Sequence, residues 1–424
     1  MSQYGIPKKN IINMAKTTGK PKDSGFNLGK ISSVIENLSK KSMITIDNLK
    51  KERKYIGTGI YILNALLSKS ILRGGIPANR FTIFAGPYQT GKSYICLNIV
   101  RNAQKENYNV IYIDTEFAIE NSDFDMFGID TSDPNKFMLI RSNKVENLKI
   151  FLAQLLDELK KQKEKGEDVS KTMFIIDSLG ALASKKEIED AIKGNDKQDM
   201  SRAKATKSML RIIIDDLGYL NIPLVATNHT YLTQDLFPQT VQTGGEGLNY
   251  LASIIILLSK AKLEDKDKDE LSTGSTGSII TAMARKNRLA KPKKVKFEID
   301  HSKGCNEFKG LDYFCTPENF EKVGIAKVKP VVDKKTGEIT YEPGSKWYVK
   351  HLDKTLFDSQ LYNSKVFTKD VLEALDPIIY EYFRYASYEE YQKEMEALDE
   401  QYAEFEQDVD FEIDSEEGDE KLFG

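Results

Sequence analysis

The sequence predicts an α/β protein built on a mainly parallel sheet, and three observations carry that prediction. Short apolar runs alternate with amphipathic stretches, as they do in βαβ units. Two of these runs close on an acid, at the C-terminal strand ends where parallel sheets place ligand-side residues. One run opens through glycines straight into a helix-compatible segment. Expected parallel strands are 81–85, 110–114, 137–140, 173–177 and 223–227, with helices over 146–163 and 200–218 between them. Segments 252–259, 278–286 and 294–299 read as antiparallel additions, broken by a polar hairpin tip over 264–277. Before this core, helical spacing at Ile31, Val34, Ile35 and Leu38 and a short extended piece suggest a small helix/strand segment. After Lys303 the pattern changes to a small α/β module ending near Met395. The expected organisation is therefore 1–54 arm and contact segment, 55–303 core, 304–395 small C-terminal domain and 396–424 acidic tail.

Gly86 to Ser93 read Gly-Pro-Tyr-Gln-Thr-Gly-Lys-Ser, a full G-x-x-x-x-G-K-[ST] phosphate loop between a buried-type strand and a helix. Gly86, Pro87, Tyr88, Gln89, Thr90, Gly91, Lys92, Ser93 and Tyr94 are the expected nucleotide contacts. The glycines let backbone N–H groups turn inward, and the helix start adds its positive end. Lys92 places a charge near the β/γ-phosphates, and the Ser93 hydroxyl suits Mg²⁺. The bland alternative is an ordinary Gly-rich turn. Met173–Asp177 closes a second apolar strand with an acid suited to ordering a water on Mg²⁺. Val110–Glu116 ends another strand in Asp114 and Glu116, so Glu116 is placed to position an attacking water. A helix-starting cap remains the competing reading of Glu116.

Composition bounds the class. The 424 residues are 40% hydrophobic and 29% charged, as in soluble globular proteins. No apolar stretch approaches a bilayer span, and the lysine-dotted N-terminus lacks a signal-peptide apolar region, so no membrane partner is expected. Cys96, Cys305 and Cys315 show no metal-like spacing, which suits a reduced, intracellular protein. The net charge of −3 conceals polarity: residues 399–424 carry twelve acids and one lysine, while 1–54 carry twelve cations and four acids. A basic arm and an acidic tail on a neutral body suit a nucleic-acid protein with a self-competing tail, or two solvated ends that aid solubility.

Asp114–Ala118 with Phe127–Asp130, Ile176–Leu182, Asn228-His229 and Thr243–Ser253 together resemble the RecA recombinase family. Within it the chain is most similar to the UvsX-type recombinases of tailed bacteriophages, on Ser184–Ala191 and Asn228–Tyr231. The resemblance spans roughly residues 30–395 and implies a RecA-like ATPase core using ATP and Mg²⁺. It makes Glu116 the water-activating carboxylate and Asp177 the second metal-site acid beside Ser93. His229 stands where RecA has a glutamine that couples the γ-phosphate to a DNA loop. Lys286 and Arg288 match two cations that reach the nucleotide of the adjacent protomer, with Arg in place of the second lysine. Asp123 stands where RecA stacks a tyrosine on the adenine. Without the resemblance, His229 reads as a core histidine, and Lys286 and Arg288 as a charged strand end.

The two family DNA loops fall near 190–199 and 231–242, and the second holds no Lys or Arg. DNA contacts are therefore expected from Arg202, which begins the following helix, and from Lys204, Lys207 and Arg211, which share one face of it. A solvated basic stripe is the alternative. Backbone N–H groups at Gly244 and Gly245 and apolar wedges at Leu236 and Phe237 complete the expected set. The resulting expectation is an ATP-dependent strand-exchange protein, cytoplasmic in a bacterial host. Its expected partners are single-stranded DNA, double-stranded DNA, copies of itself in a helical filament, and recombination mediator and single-stranded-DNA-binding proteins. The rivals are a hexameric helicase with the same core and a filament or mediator protein that binds ATP without turnover.

Overall fold

A computed structural model describes residues 53–194, 201–233, 240–264 and 274–398. The expected N-terminal helix, residues 265–273 of the expected hairpin tip over 264–277 and residues 399–424 of the expected acidic tail lie outside the described residues, while Glu264 and 275–277 of that tip belong to strands. In chain order the elements begin with β1 (Tyr55–Ile56), α1 (Tyr61–Ser68), β2 (Ile76–Pro77), β3 (Phe81–Gly86), α2 (Lys92–Lys105), β4 (Asn109–Asp114), α3 (Asn121–Phe127), β5 (Phe137–Arg141) and α4 (Val145–Glu164). They continue with β6 (Thr172–Asp177), α5 (Lys185–Ile192), α6 (Ser201–Leu220), β7 (Leu224–Leu232), β8 (Thr240–Gln242), α7 (Gly247–Leu251), β9 (Ile254–Glu264), β10 (Ser275–Asn287), β11 (Lys294–Asp300) and β12 (Gly304–Cys305). The last are α8 (Phe320–Val323), β13 (Ile325–Val332), β14 (Ile339–Val349), β15 (Lys354–Leu356), α9 (Asp358–Leu361) and α10 (Lys369–Phe383).

One large sheet runs in the order β12-β11-β10-β9-β3-β7-β6-β4-β5. β9, β3, β7, β6, β4 and β5 are mutually parallel, while β10, β11 and β12 add on antiparallel. The first expected antiparallel addition, β9, is thus parallel to its inner neighbour β3 and antiparallel only to β10. A strand with helices on both sides must be apolar on both faces. β3 and β6 meet that demand with every residue buried.

Alternation along the strands feeds two cores. Phe81, Ile83, Ile111, Ile113, Phe174 and Ile176 face α4 and α6. Val145, Leu148, Leu152 and Leu156 recur at three- and four-residue spacing, giving α4 the stripe that covers this face. Phe84, Val110, Tyr112, Met173 and Ile175 face the other way, onto α2, α1 and the C-terminal helix α10. That second core runs without interruption from Ile56 to Phe383, across the expected boundary at 303/304, where β12 pairs with β11. A separate three-stranded sheet, β13-β14-β15, has its own small cluster around Phe320, Val328 and Tyr348.

Polar contacts fasten α10 to the core. Asp376 accepts the Ser70 hydroxyl at 2.8 and 3.0 Å and the Ile71 N–H at 2.7 Å. Asn287 donates to the last carbonyls of α1, Leu66 at 2.8 Å and Leu67 at 3.1 Å. Asp376→Ala leaves two donors at the α1 exit unpaired and should cost about 1–3 kcal/mol. A lowered urea midpoint with unchanged far-ultraviolet dichroism checks this, and an unchanged midpoint contradicts it.

Candidate nucleotide site and its connection to the DNA loops

The site is built by parallel register. Gly86 of β3 pairs with His229 of β7, and Asp114 of β4 with Asp177 of β6. Four chain segments therefore deliver their functional residues along one edge of the sheet.

The loop after β3 is shaped by its glycines. A side chain at Gly86 would meet the Leu258 carbonyl at 2.6 Å, so β9 approaches too closely for anything larger. Gly91 takes φ 76° to start α2, which only glycine adopts freely. Thr90 donates to the Pro87 carbonyl at 2.8 Å, and the Lys92 ammonium donates to Gly86 and Pro87 at 3.1 and 2.8 Å. Burial lowers the Lys92 pKa, against the opposing pull of Asp177 and Glu116. Ser93 is exposed at the helix start. Tyr94 packs edge-on against Phe127, and its hydroxyl accepts the Cys305 N–H at 2.8 Å, so its contacts are structural.

The three acids occupy different settings. Asp177 is buried; it accepts the Tyr112 hydroxyl at 2.9 Å and a very short bond from Thr227. Burial, then Asp177, pushes the Tyr112 phenol well above its ordinary pKa, so it remains a donor. Asp114 is also buried and is consumed by structure. It accepts the N–H groups of Glu116, Ala118 and Ile119 at 3.1–3.4 Å and lies 3.5 Å from Arg141. That clamp presents the next acid. Glu116 is partly exposed, and its Oε1 takes the Ser178 hydroxyl at 2.5 Å and lies 2.9 Å from His229 Nε2. Burial raises the Glu116 pKa, but the Ser178 and His229 bonds and Lys92 outweigh it, leaving the carboxyl below its ordinary 4.5.

Neighbouring contacts fix this pair. Thr115 donates to the Ser178 carbonyl at 2.5 Å and accepts its N–H at 2.8 Å, tying the ends of β4 and β6. A side chain at Gly180 would stand 2.6 Å from His229 Cδ2, so the imidazole rests on bare backbone.

The donor set fits a nucleotide with Mg²⁺. Among the described residues no three His, Cys, Asp or Glu side chains converge as a self-sufficient metal cage. Mg²⁺ needs no such cage, since it keeps waters and takes phosphate oxygens beside one or two protein oxygens. Ser93 and Asp177 are of that kind.

The model for the RecA N-terminal domain matches residues 28–306. The chain belongs to the RecA family. It is 31% identical over 341 residues to the recombination and repair protein of Enterobacteria phage T4, covering 78% of this chain and 81% of that protein. It is 24% identical to the protein RecA of Bdellovibrio bacteriovorus over 69% of this chain and 74% of the relative. The mitochondrial DNA repair protein recA homolog 3 of Arabidopsis thaliana is 25% identical over 58% of this chain and 53% of its own length.

Among the departures from the RecA pattern, Asp123 has a local cause. It is the third residue of α3 and accepts the Glu120 N–H at 2.8 Å, a capping role.

His229 is more than a site residue, because β7 does not stop at the sheet edge. It runs on to Leu232 and turns back as β8, pairing Thr230 with Gln242 and Leu232 with Thr240. The expected strand ended at 227, so this arm was missed. Thr243 N–H donates to the His229 carbonyl at 2.9 Å, and Asn228 donates to the Thr243 carbonyl at 2.9 Å. Gln242 donates to Asn249 at 3.2 Å, and Lys286 donates to the Asn249 carbonyl at 2.6 Å. A polar path thus leads from Glu116 to the arm and on to Lys286.

The expected DNA residues are partly gathered here. Lys204, Lys207 and Arg211 are exposed on α6, while Arg202 is half-buried and off their face. The Lys207 stem packs over Gly247, next to Gly244 and Gly245, whose φ values are 93° and 75°. Leu236 and Phe237 lie outside the described residues, as do 195–199 of the first expected loop. Helix α5, with Ser184 and Glu187 in a capping box, fills much of the run before it.

Gly180→Ala should force His229 off Glu116 without touching the phosphate loop. Nucleotide affinity should persist while any DNA-stimulated ATP turnover drops about 10–100-fold, as loss of an outer partner that orients a functional side chain does. Unchanged turnover would mean that the Glu116–His229 contact is dispensable.

Proposed function

We propose that this chain is an ATP-dependent strand-exchange recombinase that assembles as a helical filament on single-stranded DNA and pairs it with homologous duplex. One observation carries the reading: Glu116 and His229 are bonded at 2.9 Å, and His229 is also the root of the β7–β8 arm. Hydrolysis and a DNA-facing loop thereby share a hydrogen bond. The likeness to recombination and repair proteins points the same way.

In this reading the N–H groups of Gly86–Ser93 and the start of α2 hold the triphosphate, with Lys92 beside the β/γ-phosphates. Mg²⁺, held by Ser93 and through a water on Asp177, would neutralise charge on the phosphate oxygens. Glu116 orients a water toward the γ-phosphorus and takes its proton as the bond to the leaving oxygen breaks. Ser178 and His229 keep that carboxylate aimed and ionised. When the γ-phosphate leaves, His229 changes partners, and the arm between β7 and Thr243 relaxes its grip on DNA. Lys204, Lys207 and Arg211 supply phosphate contacts beside that arm, and homology is read by base pairing.

Lys286 and Arg288 act across the protomer boundary. Ile254 of β9 aligns with Thr82, near the start of β3, and Arg288 N–H bonds the Ser253 carbonyl beside it. Gly86 lies at the far end of β3, about 15 Å away at strand rise. The two cations are thus out of reach of their own phosphate loop. A recombinase filament accounts for that separation; a non-hydrolysing mediator leaves Glu116 and Asp177 without a task.

Lys92→Ala should abolish DNA-stimulated ATP turnover. Glu116→Gln should retain nucleotide binding yet slow hydrolysis about 10²–10⁴-fold, since an amide cannot take the proton. Glu116 is held below its ordinary pKa, so its base form is lost only as pH falls through that lowered value, below 4.5. Turnover by Glu116→Gln equal to the parent rate would remove Glu116 from the chemistry.

A further inference from the structure

Four cations meet at the end of the sheet opposite the phosphate loop. Arg80 directly precedes β3, and its carbonyl accepts the Leu224 N–H at 3.1 Å. Beside it, Ser253 N–H bonds the Phe81 carbonyl at 2.9 Å, and Arg288 N–H bonds the Ser253 carbonyl at 3.3 Å. Lys286 is two residues earlier on β10, opposite Ile255. On the other flank, Ala78 N–H bonds the Lys54 carbonyl at 2.9 Å and brings Arg53 alongside. The main chain therefore gathers residues 53, 80, 286 and 288 at one edge.

Their charges are felt mutually. Burial, then Arg53 and Arg288, lowers the Arg80 pKa, and burial, then Arg288, lowers that of Lys286. Among the described residues, no carboxylate acts on Arg80 or Lys286, which instead donate to the Asn79 and Asn249 carbonyls. Half-buried like charges without a counter-ion raise the free energy until an anion joins them. The phosphate loop of the same copy cannot supply it, because the length of β3 exceeds the extension of a side chain.

We propose that Arg80 acts with Lys286 and Arg288 on the polyphosphate of the nucleotide bound by a neighbouring copy. This rests on the reading that the Lys286/Arg288 pair meets that nucleotide, and it adds a third cation from a different part of the chain. A guanidinium offers several fixed N–H donors to phosphate oxygens, which suits a site that forms only when two copies close. A phosphate loop on one edge and its cations on the opposite edge make a head-to-tail contact, which repeats as an open helix when its rotation does not close into a ring.

Mixing variants tests the assignment. Arg80→Ala should lower DNA-stimulated ATP turnover about tenfold or more, as loss of a trans-acting arginine does. Nucleotide binding by the isolated copy should be unchanged. Mixed with Lys92→Ala protein, which retains Arg80 but lacks the loop lysine, it should regain turnover well above the sum of the two alone. Lys286→Ala mixed with Lys92→Ala serves as the reference. Rescue of Lys286→Ala without rescue of Arg80→Ala overturns the proposal and leaves the underlying reading standing. Rescue of neither overturns both. Parent-level turnover by Arg80→Ala alone, or loss of DNA affinity without nucleotide, also overturns it, the latter in favour of a direct DNA contact. If Arg80→Ala melts early, Arg80→Lys carries the same mixing test.

Discussion

Parallel pairing of β3, β4, β6 and β7 is the constraint on which everything else depends. It sets Gly86 level with His229 and Asp114 level with Asp177. A slip of one residue would turn each strand over and bury the functional side chains in the wrong layer. The register is enforced from both sides, because alternate residues of these strands feed two separate apolar cores. Short polar ties then finish at the strand ends what packing begins in the middle, as Thr115 does on Ser178.

The edge so built combines rigid and adjustable parts. Asp114, Asp177 and Thr227 are buried and hydrogen-bonded, so they hold geometry. Glu116 and His229 are partly exposed and bonded to each other, so their contact can be exchanged without unfolding anything. His229 stands between the two classes: its ring meets Glu116, while its carbonyl anchors Thr243 at the far root of the arm. In the proposed function, a change at the carboxylate is passed through His229 to the arm, the contiguous contact that coupling between two sites can use.

Much of this was legible in the sequence because strand patterning is local. The five expected parallel strands all occur, each within a few residues of its expected start. Phosphate-loop spacing singles out Lys92 and Ser93, and strand-terminal acids single out Glu116 and Asp177; the structure brings these residues to one sheet edge. What escaped was non-local. Nothing in the chain near Asp114 tells that it will bind Arg141 and three N–H groups, while Glu116 two residues on stays partly exposed. Gly180 has meaning only because His229 from another strand lies on it. The arm beyond Thr227 is polar and half-exposed, so it lacks the apolar run that marks a strand. Arg80 reads as a charge before a strand until β10 and residue 53 are folded beside it.

The central claim is that ATP sits between copies of this chain and couples their assembly to DNA. Cryo-electron microscopy of the full-length chain on single-stranded DNA, with a non-hydrolysable ATP analogue and without nucleotide, tests it most directly. The account predicts open helical filaments with the analogue. Each nucleotide should be held by Gly86–Ser93 of one copy and approached by Lys286 and Arg288 of the next. Closed rings, or filaments whose nucleotide touches a single copy, would contradict it.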